Sequence, residues 1–495
     1  MLWALAVAPL AVALGTITWL RRPAHWAAAA GVAVAAAAVW AVPDFALPAG
    51  TLGTSAAEAA LLVLNAAAVM VPGVYLSQVL TRRGVHRSLQ AWVRALPLPG
   101  PAKAALVVAG IAPTVEALTG FGVSLLVTVP VLLALAPPPT ALRQAMLGMN
   151  IMPWGTLGLA TVIGAALVGE PASTLGAASA VTSALVFPLV TVWAALLARP
   201  RRRVRAAAVA AAAGATLSGA LLVLNHLGVV QPAGVLAGLA TTAAGLAVCA
   251  ALRLRTGGGE GAAALLPPRD VVYAYGLVLG GIALARAATA AGVPPLALQV
   301  GGVEFALLSS PGPPLLLGAL LLDRGRPHRA DARAALVRVG RPLAALSGFV
   351  VLSRVMADSG MAGALGSAVA GAPAPAVVLA VPALGMLSGF VTGSNVGGNA
   401  LMMPLQERLA QGVPGLEAWG AALQNSAAGH AVFTALPMIM LVLAVAGERA
   451  EGRGDGPDGG RDAVREHDLL RFGLRAAAAV YAALALTAAA LAAFG

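Results

Sequence analysis

Runs of about twenty apolar residues recur along this chain, and arginine-bearing loops separate them. About twenty residues at 1.5 Å each cross the ~30 Å of hydrocarbon in a bilayer, so the pattern calls for a polytopic helical bundle before any motif is considered. With 59% hydrophobic and 10% charged residues and a mean hydropathy of +0.88, the chain has more apolar surface than a water-soluble fold can bury. Spans are predicted at about 2–20, 25–42, 57–80, 144–167, 173–197, 206–224, 231–252, 271–290, 295–322, 342–357, 415–446 and 472–494. The first run lacks a basic segment before it and is followed by Arg21 and Arg22, so it reads as a spanning helix and not a cleaved signal.

A net charge of +12 would suit a nucleic-acid partner if the arginines formed one face. They lie instead in short loops, as orientation by the positive-inside rule requires, so no nucleic acid is expected. Arg21 and Arg22 place the first loop on the cytoplasmic side and the N-terminus outside. The lone Cys249 offers neither a disulfide nor a thiol pair for a metal. No cofactor or metal is expected.

Two segments do not read as ordinary spans. Residues 104–136 hold one charged residue, Glu116, within "TVEALTGFGVSLL", and as one helix would reach ~50 Å. Drawn as a re-entrant hairpin turning near Gly120 to Gly122, the segment keeps the Arg199 to Arg205 cluster inside. Residues 359–406 carry no charge and contain "SGFVTGSNVGGN", too polar for a lipid-facing helix, so this backbone must be buried in protein or line a wet cavity. A second hairpin, 376–406, is expected to enter from outside, leaving Arg408 alone among basic residues in external loops. "LTGF" (118–121) answers "LSGF" (387–390), and Asn150 answers Asn425, weak echoes of an inverted repeat. The expected organisation is a first half (1–225) with one hairpin, a second half (226–446) with the other, a cytoplasmic polar loop (447–471) and a last helix (472–495).

Broken helices expose backbone N–H groups that favour small anions. Gly120, Gly122 and Ser124 form one candidate cradle; Gly393, Ser394, Asn395 and Asn399 form the other. The plainer account is that the glycines only let helices cross closely, but asparagine is costly in hydrocarbon without a task. Carboxylates in low-dielectric surroundings can exchange a proton near neutrality, which makes Glu116 the candidate proton carrier. His430 could share that proton, or simply bond one helix to another. Arg354 could recognise a carboxylate or pair with Asp358 four residues on; Arg286 could do the same, or pair with Glu304. No His-Glu-x-x-His, P-loop or credible nucleophile elbow is present, and a Gly-x-Gly-Asp at 452–455 falls in the charged loop.

At these residues the chain resembles the L-lactate permease family, bacterial carriers of lactate and related 2-hydroxy monocarboxylates. The likeness rests on "VEALTGFGVSLLVT", "NIMPWGTLG", "SGMAGALG" with "SGFVTGSNVGGNALMMPLQ", and "LQNSAAGHAV", in consistent order between residues 111 and 440. The resemblance implies proton-coupled uptake of small hydroxy acids. It maps onto Glu116, Gly120, Gly122, Asn150, Ser394, Asn395, Asn399, Gln406 and Gly429. His430 stands where the family tends to have Asn, Val123 and Ser124 replace a Thr-Pro pair, and Arg354 replaces a neutral residue.

The sequence thus predicts an all-α multi-pass protein of the cell membrane, about twelve spans with two opposed re-entrant hairpins. It would take up lactate, glycolate or related 2-hydroxy acids by proton symport, with Asn425 also at the substrate site. Its partners would be a small organic anion, a proton and the lipid bilayer; association into homo-oligomers is left open. A Na+-coupled carrier of another organic anion such as a dicarboxylate is the near alternative, and a membrane enzyme acting on a lipid-linked substrate the distant one.

Overall fold

In a computed structural model, residues 2–120, 122–255, 265–369, 371–451 and 464–494 are described. Phe121 and the Gly-x-Gly-Asp stretch lie outside them. The described residues form a predominantly α-helical polytopic bundle. Among the described residues nine helices are long and apolar enough to cross a membrane, and up to twelve if each of three bent pairs counts as one span.

Helices α1 (Leu2–Thr18) and α2 (Ala24–Ala41) precede the 34-residue α3 (Ala49–Arg82) and a short α4 (Val85–Ala95). Then α5 (Gly100–Leu106) passes through a π turn (Val107–Ile111) into α6 (Ala112–Thr119). After a glycine break come α7 (Val123–Leu133) and a pair bent by 56°, α8 (Pro138–Leu147) and α9 (Gly155–Val168). Next are α10 (Ala172–Thr182), α11 (Val186–Leu197), α12 (Arg203–His226) and α13 (Ala233–Arg255).

From α14 (Arg269–Ala290) the pattern begins again. A β-hairpin intervenes, and α15 (Gly312–Leu322), the 30-residue α16 (Arg329–Asp358) and a short α17 (Met361–Val369) follow. Then α18 (Ala374–Thr392) breaks at glycine before α19 (Asn395–Gln411), and α20 (Gly420–Ala431) meets α21 (Leu436–Glu451) at a 42° bend. Long helix, short helix, glycine break and bent pair therefore occur twice: Arg82 at the end of α3 answers Asp358 at the end of α16, 276 residues on. The final helix is α22 (Glu466–Phe494).

Equivalent helices run in opposite directions. Arg82, at the end of α3, pairs with Asp331 at the start of α16 (2.8 Å), while Glu58 near the start of α3 pairs with Arg354 near the end of α16 (3.1 Å). The repeats also interlock, since α2 packs on α16 while α15 packs on α3. Helices α10 to α13 fall outside this correspondence, which the division at residue 225 does not reflect.

Three sequence expectations change. The predicted span at 295–322 is instead a hairpin of β1 (Ala297–Val300) and β2 (Val303–Ala306), followed by the 11-residue α15. The signal was local: Gly301-Gly302 between alternating residues is hairpin chemistry, with φ +54° at Gly301. The first glycine-broken segment is unequal, with 20 helical residues from Gly100 to Thr119 and only 11 in α7. The polar stretch at 447–471 is helical at both ends, and 452–463 lie outside the described residues.

The second broken segment folds back on itself, with Gln406 Nε2 donating to the Val381 carbonyl across α18 and α19 (2.9 Å). Small residues allow this and bring both helices onto α20; a Cβ at Gly389 would overlap the Ala428 carbonyl. Gly389→Ala, which by helix propensity alone would gain ~1 kcal/mol, is expected to lower the thermal unfolding temperature of the purified protein in detergent.

Burial also holds His86 on α4 neutral, pushing its pKa down from 6.5 to about 4. The ring is 4% exposed and meets the Thr81 hydroxyl at 3.1 Å through Nδ1. The unfolded chain takes up this proton near 6.5 and the folded one resists until about 4, so stability should decline as pH falls through that window. His86→Gln should flatten the slope of unfolding temperature against pH there.

Candidate functional site

Both glycine breaks open into one cavity of about 560 Å³. Glu116 and Gly122 reach it from the first break; Thr392, Gly393, Ser394 and Asn395 reach it from the second. Arg338 and Arg341 on α16, His25 at the start of α2, and Thr156 complete the polar lining.

At the first break, Gly120 has φ +70° and ψ −171°, a conformation essentially restricted to glycine, and Gly122 has φ +71°. A Cβ at Gly120 would overlap the Thr156 hydroxyl. The chain then starts α7 with its N–H groups unsatisfied by the helix. Glu116 satisfies them: its carboxylate accepts from Gly122 N (3.0 Å), Ser124 N (3.1 Å) and Ser124 Oγ (2.7 Å). The first anion cradle is therefore filled by the protein's own carboxylate, so Ser124 and Gly122 hold Glu116 where a substrate was expected. Opposite it, Arg338 lies close enough for charge interaction with Glu116.

At the second break Gly393 takes a left-handed φ of +65° and ends α18, as helix C-termini favour. Ser394 caps α19, its hydroxyl accepting from Gly397 N (3.2 Å). This helix N-terminus borders the cavity, and among the described residues no carboxylate is bonded to it.

Thr156, Leu157 and Gly158 form a left-handed turn, φ +51°, +55° and +69°, at the head of α9. At Thr156 and Leu157 such strain costs roughly 1–3 kcal/mol each and persists only where surroundings enforce it. Thr161 helps by donating to the Pro153 carbonyl (2.7 Å). Gly429 packs on the other side of Pro153, where a Cβ would crowd both the proline ring and Asn395.

Behind the cavity, a buried polar network radiates from Asn425. Its Oδ1 accepts from Asn395 Nδ2 (3.1 Å) and Asn399 Nδ2 (2.8 Å), and its Nδ2 donates to Thr161 Oγ1 (3.0 Å) and Ser179 Oγ (2.9 Å). Asn399 also donates to Ala160 O (3.1 Å). Further on, Ser426 donates to Ser179 O, Ser183 donates to Ser426, and His430 Nε2 meets Ser183 Oγ at 2.9 Å. Asn150 donates to Leu147 O, and its Oδ1 meets His430 Nδ1 at 3.2 Å.

Of the residues singled out from sequence, Glu116, Gly122, Gly393, Ser394 and Asn395 line the cavity, and Gly120 shapes its wall. Asn150, Asn399, Asn425 and His430 sit behind it, and Gln406 lies further along the α18–α19 hairpin. Arg354 is elsewhere. It bridges Glu58 and the Ala166 carbonyl (3.3 Å), not Asp358, which accepts from Ser55 (2.5 Å). The ion pairs among the described residues do not include Arg286 with Glu304. Sequence reasoning missed Arg338 and Arg341, which looked like loop charges; Pro342, four residues after Arg338, was the signal of a perturbed helix wall.

A predominantly α-helical membrane bundle, built as two antiparallel repeats whose breaks meet at a charged internal cavity, has the architecture of secondary transporters. Residues 301–452 match the family model described as L-lactate permease, a transporter family. That stretch covers the second repeat from the β-hairpin through α21, including Arg338, Arg341 and the α19 terminus. A search of curated proteins returns no match.

Asn425→Ala would leave the amides of Asn395 and Asn399 without their shared acceptor, at ~1–3 kcal/mol for each buried donor left unpaired. A clear drop in thermal unfolding temperature is expected, larger than for an alanine at exposed Gln411.

Proposed function

We propose that this protein is a secondary carrier that takes up lactate, glycolate or related 2-hydroxy acids together with a proton. The observation that carries this reading is the convergence of a carboxylate, two guanidinium groups and a helix N-terminus on one cavity between the two breaks. The match to L-lactate permease over residues 301–452 supports the substrate class.

On this reading the substrate carboxylate binds Arg338 and the start of α19, with Arg341 drawing anions to the mouth. A guanidinium offers carboxylates paired donors, and the helix terminus adds partial positive charge. Glu116 carries the proton. Protonation removes the charge that Arg338 and the α7 N-terminus face, freeing both for the incoming anion. Anion and proton together add no net charge, which lowers the cost of moving the loaded site past apolar surroundings.

We read both breaks as tips of re-entrant hairpins in the cell membrane. The cavity is bordered by Pro23, Ala24 and His25, beside Arg21 and Arg22, and by Arg338 and Arg341; the positive-inside rule makes this the cytoplasmic face. Opposite, the Glu58–Arg354 pair and the Ser55–Asp358 bond join α3 to α16. This arrangement corresponds to an inward-facing carrier closed to the outside.

In proteoliposomes, uptake of labelled lactate is expected to rise as external pH is lowered and to be unchanged when external Na+ is replaced by choline. Glu116→Gln should abolish the pH dependence. Uptake indifferent to pH in the unaltered protein, with Glu116→Gln fully active, would refute the symport reading. Arg338→Ala should raise KM for lactate by about 10- to 100-fold, the worth of a charge-assisted bond, with Arg338→Lys intermediate.

A further inference from the structure

Among the described residues three helix pairs bend midway: α8–α9 by 56°, α10–α11 by 46° and α20–α21 by 42°. One side chain, His430, joins all three bends. It sits in the last turn of α20, while Asn150 lies in the turn between α8 and α9 and Ser183 in the turn between α10 and α11. The ring meets Asn150 Oδ1 through Nδ1 at 3.2 Å and Ser183 Oγ through Nε2 at 2.9 Å.

Each partner also serves its own surroundings. Asn150 donates to the Leu147 carbonyl at the end of α8 (2.9 Å), and Ser183 donates to Ser426 Oγ on α20 (2.9 Å). Aromatic rings close the junction: Phe187, at the start of α11, meets the imidazole edge-on with centroids 5.4 Å apart, and Trp154, in the α8–α9 bend, packs on Phe187 at 6.2 Å. The His430 ring is fully buried and does not border the cavity.

These contacts set the rotation and height of α20. Ser426 and His430, four residues apart, share its face towards α10, where Ser426 also meets Thr182 Oγ1 (2.6 Å) and donates to the Ser179 carbonyl (3.2 Å). Beside them Asn425 turns towards α19 and accepts from Asn395 and Asn399. A rotation of α20 would carry Asn425 away from both amides and remove support from the first turn of α19.

We infer that His430 is a positioning residue: by tying the α8–α9 and α10–α11 bends to the end of α20, it holds Asn425 beneath the start of α19 and so sets affinity for the substrate carboxylate, without carrying the proton. The inference rests on the carrier reading above. A neutral imidazole donates from one nitrogen and accepts at the other, which suits an amide and a hydroxyl on its two sides. Its bonded neighbours lead through serines to the carboxamides of Asn425 and Asn395, which do not titrate.

The test is the concentration dependence of labelled lactate uptake in proteoliposomes by His430→Phe, which keeps a ring against Phe187 and removes both nitrogens. KM should rise about 5- to 10-fold, the worth of a buried hydrogen bond, with turnover within about threefold of the unaltered carrier. Uptake should still rise as external pH falls. His430→Gln, which keeps a donor and an acceptor, should lie between the two. Should His430→Phe not yield monodisperse protein, Ser183→Ala removes the partner of Nε2 alone and should raise KM about threefold. An unchanged KM in the folded variant, whatever its unfolding temperature, would overturn the inference, as would a fall in turnover larger than the rise in KM. Loss of the pH dependence would overturn it too, by making the ring a proton carrier. Absence of any carboxylate transport by the unaltered protein would instead defeat the carrier reading on which it stands.

Discussion

Backbone N–H groups freed by a broken helix cannot be left bare where no water reaches them, and this constraint organises the centre of the molecule. At the first break Glu116 folds forward by six and eight residues to accept from Gly122 and Ser124. At the second, Ser394 accepts from Gly397 N, and the start of α19 borders the cavity. Each break is thus stabilised by atoms that also define the site. One is closed by an internal anion, and the other is left facing a basic wall.

This asymmetry gives the two repeats different tasks within one plan. Their helices correspond in order and run antiparallel, yet a carboxylate borders the break only in the first repeat and the asparagine pair only in the second. Glu116 and Arg338 line the same cavity, close enough for their charges to interact. The interlocking of α2 with α16 and α15 with α3 ties each repeat to the other's long helix. Ion pairs at both ends, Arg82 with Asp331 and Arg354 with Glu58, hold the two long helices together.

Much of this was legible in the sequence. Composition and run length dictated a multi-pass helical bundle, and a lone glutamate beside Gly-Phe-Gly and the polar "TGSNVGGN" marked the two breaks. Other features were not. Arg338 and Arg341 lie where a helix leaves an arginine-rich loop, and in one dimension a cavity-facing arginine looks the same as an orienting one. Arg354 drew attention because it interrupts an apolar run, but its partner Glu58 is almost three hundred residues distant and could not be inferred from local spacing. The hairpin at 297–306 was hidden by hydrophobicity: four-residue strands rich in valine and leucine score as part of a span, although Gly301-Gly302 between them signals a tight turn.

What the sequence alone determined is that the chain enters a membrane as helices and that two of them break, because apolar length and glycine and asparagine content act locally on the backbone. What only the tertiary structure decided is which groups the breaks face. The same exposed N–H groups can hold a substrate or the protein's own carboxylate. The outcome depends on whether a glutamate one turn upstream can reach forward, and on which helix, here α16 with its arginines, packs across the gap.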